Sequence, residues 1–298
     1  MRIGNIKEAT PTQIRTLQLR ELELLKHLQA ILKEHNLSFY IIGGTLIGAV
    51  RDGGFIPWDD DIDIIMKRKD FEEFYANRNE WLKGTNFLLE RSNEKVSQHL
   101  TGITFKDKTT TFINQHSVNE NIQHSMSLDI DPLDYRPVGK FKWYLQIIYA
   151  IIFSLYNADR VPDHQGKLLR YLAYLPLKMV PTRRAKYKIW SWAEKKMVKL
   201  GNPKSGEVVE LGVGYKALFR YDDAKWFDKA IPIQFDGMTL PAPVGYDAYL
   251  KAVVGDYTKL PPKEEQIPKH TTYLIDTETP YNEKMREPFM EGNIHEKG

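Results

Sequence analysis

Ile14, Leu17, Leu24, Leu25, Leu28, Ile31 and Leu32 recur close to helical period in "TPTQIRTLQLRELELLKHLQAILKEHN". An apolar stripe at that spacing predicts an amphipathic α-helix, and Thr10 before Pro11 supplies a cap and a first helical position. "LSFYIIGG" (37–44) then reads as a short buried strand ending on paired glycines. "TLIGAVR" reads as a short helix, "GGFIPWDD" as a turn-rich loop, and "IDIIM" as the next strand. Residues 69–83 give a second amphipathic helix. "FLLER", "TGITFKD" and "TTFIN" read as strands, and "SLDIDPLD" (127–134) as a strand stopped by Pro132.

A strand–helix–strand order followed by further strands predicts an α/β fold built on a mixed sheet. From about 141 to 200 the pattern turns helical, aromatic and basic. Beyond 205 it returns to short strands and turns, with a short helix in "YDAYLKAVVG" and a polar, loose tail after about 276. The expected organisation is a catalytic core over 1–140, a helical basic segment over 141–204, and a C-terminal part over 205–298 that completes the site.

Charge changes this picture in one place. Residues 138–200 hold 13 Lys and Arg against 3 Asp and Glu, in a chain whose formal net charge is only +3, so the remainder is acidic. The absence of cysteine excludes disulfides, thiolate metal sites and cysteine nucleophiles, and fits a cytoplasmic protein. The first twenty residues contain no signal-peptide-like apolar run. No stretch reaches the roughly 20 apolar residues a membrane-spanning helix needs.

The chemistry concentrates in "GGTLIGAVRDGGFIPWDDDIDIIM", residues 43–66, where Asp59, Asp60, Asp61 and Asp63 crowd together. At about 5 Å and an effective dielectric of about 20, each carboxylate pair repels by roughly 3 kcal/mol. Asp61 and Asp63 alternate with apolar residues, so in a strand they share a face. Two same-face carboxylates with no interleaved base call for a cation. Hard oxygen ligands favour Mg²⁺, or else Mn²⁺. "LDID" repeats the pattern, so Asp129 on a neighbouring strand would complete a three-carboxylate site, as a third ligand or as the base for an attacking hydroxyl. Asp131 shares its face. Gly43, Gly44 and Thr45 open a helix, where free N–H groups and the lack of a Cβ suit a phosphate. Arg51 would pair with that phosphate or with Asp60. Asp59 and Asp60 are expected to organise the loop. Phosphate cradle, carboxylates and cation together are the working parts of phosphoryl transfer.

At these residues the sequence resembles the LicD family of phosphocholine transferases, fukutin-related members of the nucleotidyltransferase superfamily with a DNA polymerase β-like fold. The family signature is matched almost throughout by "GTLIGAVRDGGFIPWDDDID" (44–63). A second block appears as "DIDPLD" (129–134) and a third as "GDYTKLPPKEEQIPKH" (255–270). Asp131 departs from the family's usual aromatic residue and Asp52 from its frequent histidine. The resemblance implies a CDP-choline or related CDP-alcohol donor. The acceptor would be a hydroxyl of a lipid-linked cell-surface glycan, such as teichoic acid or lipopolysaccharide, with release of CMP. It brings Lys263, Lys269 and His270 of the third block into consideration for nucleotide or acceptor contacts. Trp58 would then be a buried loop anchor or a cation–π partner for choline.

Two other functions compete: a metal-dependent glycosyltransferase using a nucleotide sugar, and an inactive membrane adaptor. "FKWYLQIIYAIIFSLY" (141–156) has a 14-residue stretch, Trp143 to Tyr156, whose plainly polar members are Gln146 and Ser154. It is either a buried helix or one lying on an anionic membrane surface at the cytoplasmic face. No nucleic-acid-binding motif accompanies the basic segment.

Overall fold

The computed structural model describes residues 1–159, 174–212 and 215–290. Part of the basic stretch and the last residues of the tail therefore lie outside the described residues. The chain forms two compact units. The first comprises Met1–Glu90, Thr104–Ile130 and Lys225–Gly298, and the second Arg91–Ile103 and Asp131–Ala224.

In the first unit, α1 (Pro11–Glu34) starts where Thr10 and Pro11 place it. Thr10 accepts from the Gln13 backbone N–H while the Gln13 side chain accepts from Thr10, a full capping box. Its stripe is buried from Ile14 through Leu32, and Gln18 and Glu21 are buried within it. β2 is shorter than its apolar run suggests, only Tyr40–Ile41, because α2 (Gly43–Arg51) already begins at the first glycine. β3 (Asp63–Lys67) pairs antiparallel with β2 and leads into α3 (Arg68–Trp81). β4 (Phe87–Glu90) and β5 (Ile103–Asp107) pair antiparallel, and β7 (Ser127–Tyr135) runs between β3 and β5, giving the order β2-β3-β7-β5-β4. Phe105 faces Phe74 and Phe87, and His27 meets Phe87 at 4.7 Å, so α1, α3 and the sheet share one core.

β6 (Thr111–Asn114) belongs to a separate three-stranded sheet with β1 (Arg2–Ile3) and β12 (Thr272–Asp276), in the order β1-β12-β6. The chain's two ends are joined there. A hairpin of β10 (Ala230–Phe235) and β11 (Met238–Pro243) turns on Asp236 and Gly237, both in the left-handed region. The short helix expected in "YDAYLKAVVG" is Tyr246–Val254.

In the second unit, α4 (Lys140–Ala158) packs against α5 (Arg183–Leu200) through Ile147, Ala150 and Phe153 on one helix and Trp190, Ala193 and Met197 on the other. The buried Gln146 amide donates to the carbonyls of Tyr135 and Met197, and that of Asn157, also buried, donates to the Leu100 carbonyl. Arg91 pairs with the buried Glu194.

Two expectations need correction. Pro132 does not stop its strand: β7 continues to Tyr135 and from Asp134 pairs with β8 (Glu207–Val209), which pairs in turn with β9 (Asp222–Asp223). A proline is tolerated there because it falls before that new ladder begins. Residues 277–290 are not loose, since Tyr273 stacks on Phe289 at 4.9 Å and Met285 and Met290 pack on Ile113, Val118 and Leu274. The apolar residues in this stretch are too few and too spaced to show a period. Thr10→Ala should cost about 1 kcal/mol of stability, read as a lowered urea midpoint with an unchanged slope.

Candidate functional site

The glycine-led helix and the carboxylate strand meet as the sequence suggests, but with a different division of labour. The Thr45 hydroxyl accepts from the Asp63 N–H at 2.9 Å and so fixes the start of β3 beneath α2. The Gly44 N–H donates to the Asp63 carboxylate. A Cβ on Gly43 would press into the Asp63 carboxylate and one on Gly44 into that of Asp59, while Gly43 also takes a positive φ of 54°. The paired glycines therefore allow the carboxylates to lie against the first turn of the helix.

Asp60 is separated from its neighbours by its partners. Its side chain accepts from the Lys269 N–H at 2.9 Å, the His270 N–H at 3.2 Å and His270 Nδ1 at 3.2 Å. Burial alone would raise its pKa, but the His270 bond and charge and the two N–H groups hold it below the usual carboxylate range. The expected pairing of Asp60 with Arg51 is not formed. Arg51 instead grips Asp52 through Nε and Nη2, with the shortest contact at 2.8 Å. Proximity in the chain won: Asp52 caps the helix that Arg51 ends, whereas Asp60 is turned toward the 269–270 segment.

The remaining carboxylates lack such compensation. Asp59 is pushed up to about 8 by burial, then by Asp61, Asp63 and Asp60. Asp63 is pushed up to about 7 by burial and Asp61, against the Gly44 N–H and His270. Asp129 is raised to about 6, mainly by burial, with Asp63 adding to it and His270 and Lys106 opposing. Asp61 is also raised by burial, with His270 opposing and Asp60 and Asp129 adding to the rise; it shares a hydrogen bond with Asp59. His270 is the local counter-charge. Burial would lower its pKa, yet Asp60, Asp61 and Asp129 bring it to about 10.

The residues fit a divalent cation on the chemistry of the donor set. One oxygen each from Asp59, Asp60 and Asp61 lie within 4.8 Å of one another, and the buried Asp59 Oδ2 has no hydrogen-bond partner. Asp60 is the member already saturated by protein donors. Asp59, Asp61, Asp63 and Asp129 are the ones whose mutual repulsion a cation would relieve.

Other expected residues lie apart from this charge network. Trp58 is half-buried and stacks on no aromatic ring among the described residues. Lys263 and Lys269 are exposed, and Lys269 reaches Asp60 only through its backbone. Asp131 falls in the second unit.

Four residues escaped the sequence reading. Gln18 Nε2 donates to the carbonyls of Ile56 and Asp59, at 3.1 and 2.9 Å, and so ties α1 to the loop. Glu21, also on α1, is buried, and its pKa is raised well above the usual carboxylate range by burial, then by Asp61 and Asp60. Their signal was present: two polar residues inside an apolar stripe. Asp236 accepts from Arg15 at 2.7 Å and from the Phe55 N–H at 3.2 Å, clamping the loop from the hairpin turn. Lys106 is buried, donates to Glu90 at 2.7 Å and to the Gln123 carbonyl at 2.8 Å, and acts on Asp129 through its charge. Nothing in the sequence marked these last two.

Carboxylates on two strands of the mixed sheet thus lie beside a glycine-opened helix. Residues 36–144 match the family model described as LicD/FKTN/FKRP, nucleotidyltransferase domain. The chain resembles the LicD family over that stretch. It is 27% identical over 269 residues to "Lipopolysaccharide cholinephosphotransferase LicD" of Haemophilus influenzae, covering 86% of this chain and 96% of that protein. Uncharacterized proteins of Rickettsia prowazekii and Rickettsia typhi are 44% identical over 48 residues, 16% of this chain.

The charge balance predicts a specific pH dependence. Between about pH 4, where unfolded aspartates ionise, and pH 8, the folded state binds more protons than the unfolded one at Asp59, Asp63 and Asp129. Stability attributable to them therefore falls as pH rises through that window. His270 adds stability that is complete below about 6.5 and lost as pH rises through about 10. That of Asp60 is present above about 4 and lost as pH falls through its lowered value. The melting temperature without divalent cations should decline between about pH 5 and 9, and millimolar Mg²⁺ or Mn²⁺ should reverse much of that decline. A flat profile indifferent to either cation would contradict the site.

Proposed function

We propose that this protein transfers phosphocholine from CDP-choline to a hydroxyl of a lipopolysaccharide-type glycan and releases CMP. The observation that carries the reading is the gathering of Asp61, Asp63 and Asp129 against the helix opened by Gly43 and Gly44. It is joined by likeness over most of the chain to a lipopolysaccharide cholinephosphotransferase.

In this reading Asp61 and Asp63 hold a divalent cation, Mg²⁺ or Mn²⁺, with Asp59 adjoining. When bound, the cation neutralises charge on the donor's phosphates. The Gly43–Thr45 turn and Arg51 orient the diphosphate, and Trp58 offers a ring face to the quaternary ammonium. The acceptor oxygen attacks the phosphorus of the phosphocholine unit, a P–O bond forms, and the P–O bond to the CMP phosphate breaks. Asp129 either completes the ligand set or accepts the hydroxyl proton. His270 holds Asp60, and through it the loop between α2 and β3, in place. Lys263 and Lys269 face solvent, where an anionic acceptor could meet them.

The test offers Mg²⁺ and lipopolysaccharide acceptor with CDP-choline, CDP-ethanolamine, CDP-glycerol, CDP-ribitol or a UDP-sugar, and follows CMP or UMP. Cation-dependent CMP release from CDP-choline is expected, reduced on the order of 10²–10³-fold in Asp63→Ala. UMP release alone would replace this reading with glycosyl transfer. Trp58→Ala should raise KM for CDP-choline more than for CDP-glycerol. Unchanged donor affinity in Arg51→Ala would confine Arg51 to its pair with Asp52.

A further inference from the structure

Helix α4 buries one face against α5 and leaves the opposite face apolar. Gln146, Ile147, Ala150, Phe153 and Asn157 are buried. Phe141, Tyr144, Ile148 and Ile151, at successive helical spacings on the other side, are 76, 53, 51 and 40% exposed. A surface helix ordinarily turns charge outward there, yet from Phe141 to Ala158 the only ionisable group besides tyrosine is Lys142. Trp192 of α5, 48% exposed, meets Tyr149 edge-on at 5.2 Å and extends the aromatic surface.

The exposed charges on the two helices are of one sign. Lys140, Lys142, Lys188, Lys195, Lys196 and Lys199 are all exposed. The sole acid within either helix, Glu194, is buried against Arg91, and Asp159 at the end of α4 is paired with Lys186.

We infer that this face of α4, with the lysines beside it, docks on an anionic phospholipid surface, the apolar stripe entering the interface and the lysines meeting headgroups. Charge selects this occupant. A second copy would bring two cationic faces together, and one helix's stripe is narrow against the 1,000 Å² or so that a stable protein interface buries. Aromatic and aliphatic residues on one side with lysines alongside are the composition of an interfacial helix. No helix among the described residues is long and apolar enough to cross a membrane, so the helix would lie on the surface rather than span it. The inference is independent of which reaction the carboxylate site performs.

Full-length protein would be sedimented with vesicles of phosphatidylcholine alone or of phosphatidylcholine with phosphatidylglycerol, at low and high salt. The expected result is binding to the anionic vesicles only, weakened at least tenfold by high salt, and weakened at least tenfold in Phe141→Asp/Ile148→Asp. Both side chains face solvent, so the variant should fold, which circular dichroism and melting would check. Lys142→Glu/Lys188→Glu gives a second arm that leaves the apolar stripe untouched and should also weaken binding. Absence of binding at low salt, or binding that survives both variants, would overturn the inference. So would a dimer in solution that Phe141→Asp/Ile148→Asp converts to monomer without any vesicle binding. Cation-dependent CMP release with a soluble acceptor should be the same in wild type and both variants, which separates failure of the surface from failure of the site.

Discussion

The first unit is organised around a confined excess of negative charge. Five carboxylates, Glu21 with Asp59, Asp61, Asp63 and Asp129, crowd together where burial strengthens their repulsion. Such a cluster is tolerated only because the backbone around it is over-determined. α1 holds the loop through Gln18, the hairpin turn holds it through Asp236, and the 269–270 segment holds it through Asp60. Each tether comes from a part of the chain distant in sequence, and all three lie outside the stretch that matches the LicD family model.

Asp60 and its neighbours show how environment, rather than residue type, divides roles among like side chains. Asp60 receives three donors and stays ionised, so it works as a structural anion. Asp59 keeps an unpartnered oxygen and is pushed toward its neutral form. The first is spent on geometry, and the second is available to a cation. The glycines belong to the same arrangement, since any side chain at Gly43 or Gly44 would displace the carboxylates from the helix N-terminus.

The second unit has a different logic. Its helices satisfy each other along one seam and leave an apolar, cationic exterior. A helix apolar on both faces is expensive to leave in water, and its amino-acid pattern alone does not distinguish a helix buried all round from one lying on a surface. In this chain Gln146 and Phe153 face α5 while Phe141 and Ile148 are exposed.

The amino-acid sequence by itself determined many of the local elements and the crowding of the aspartates. The period of the leucines fixed α1, the Thr10–Pro11 pair fixed its start, and alternation with isoleucine placed Asp61 and Asp63 at the edge of a buried strand. These are local properties, carried within a few residues by backbone geometry and capping. Tertiary structure alone decided the distant partners of the charges: Asp60 to His270, Asp236 to Arg15, Lys106 to Glu90. It also carried β7 past Pro132 and packed the segment after residue 276. Electrostatic partnership depends on distances between segments up to 221 residues apart, and no pattern of residue types along a chain encodes such a distance.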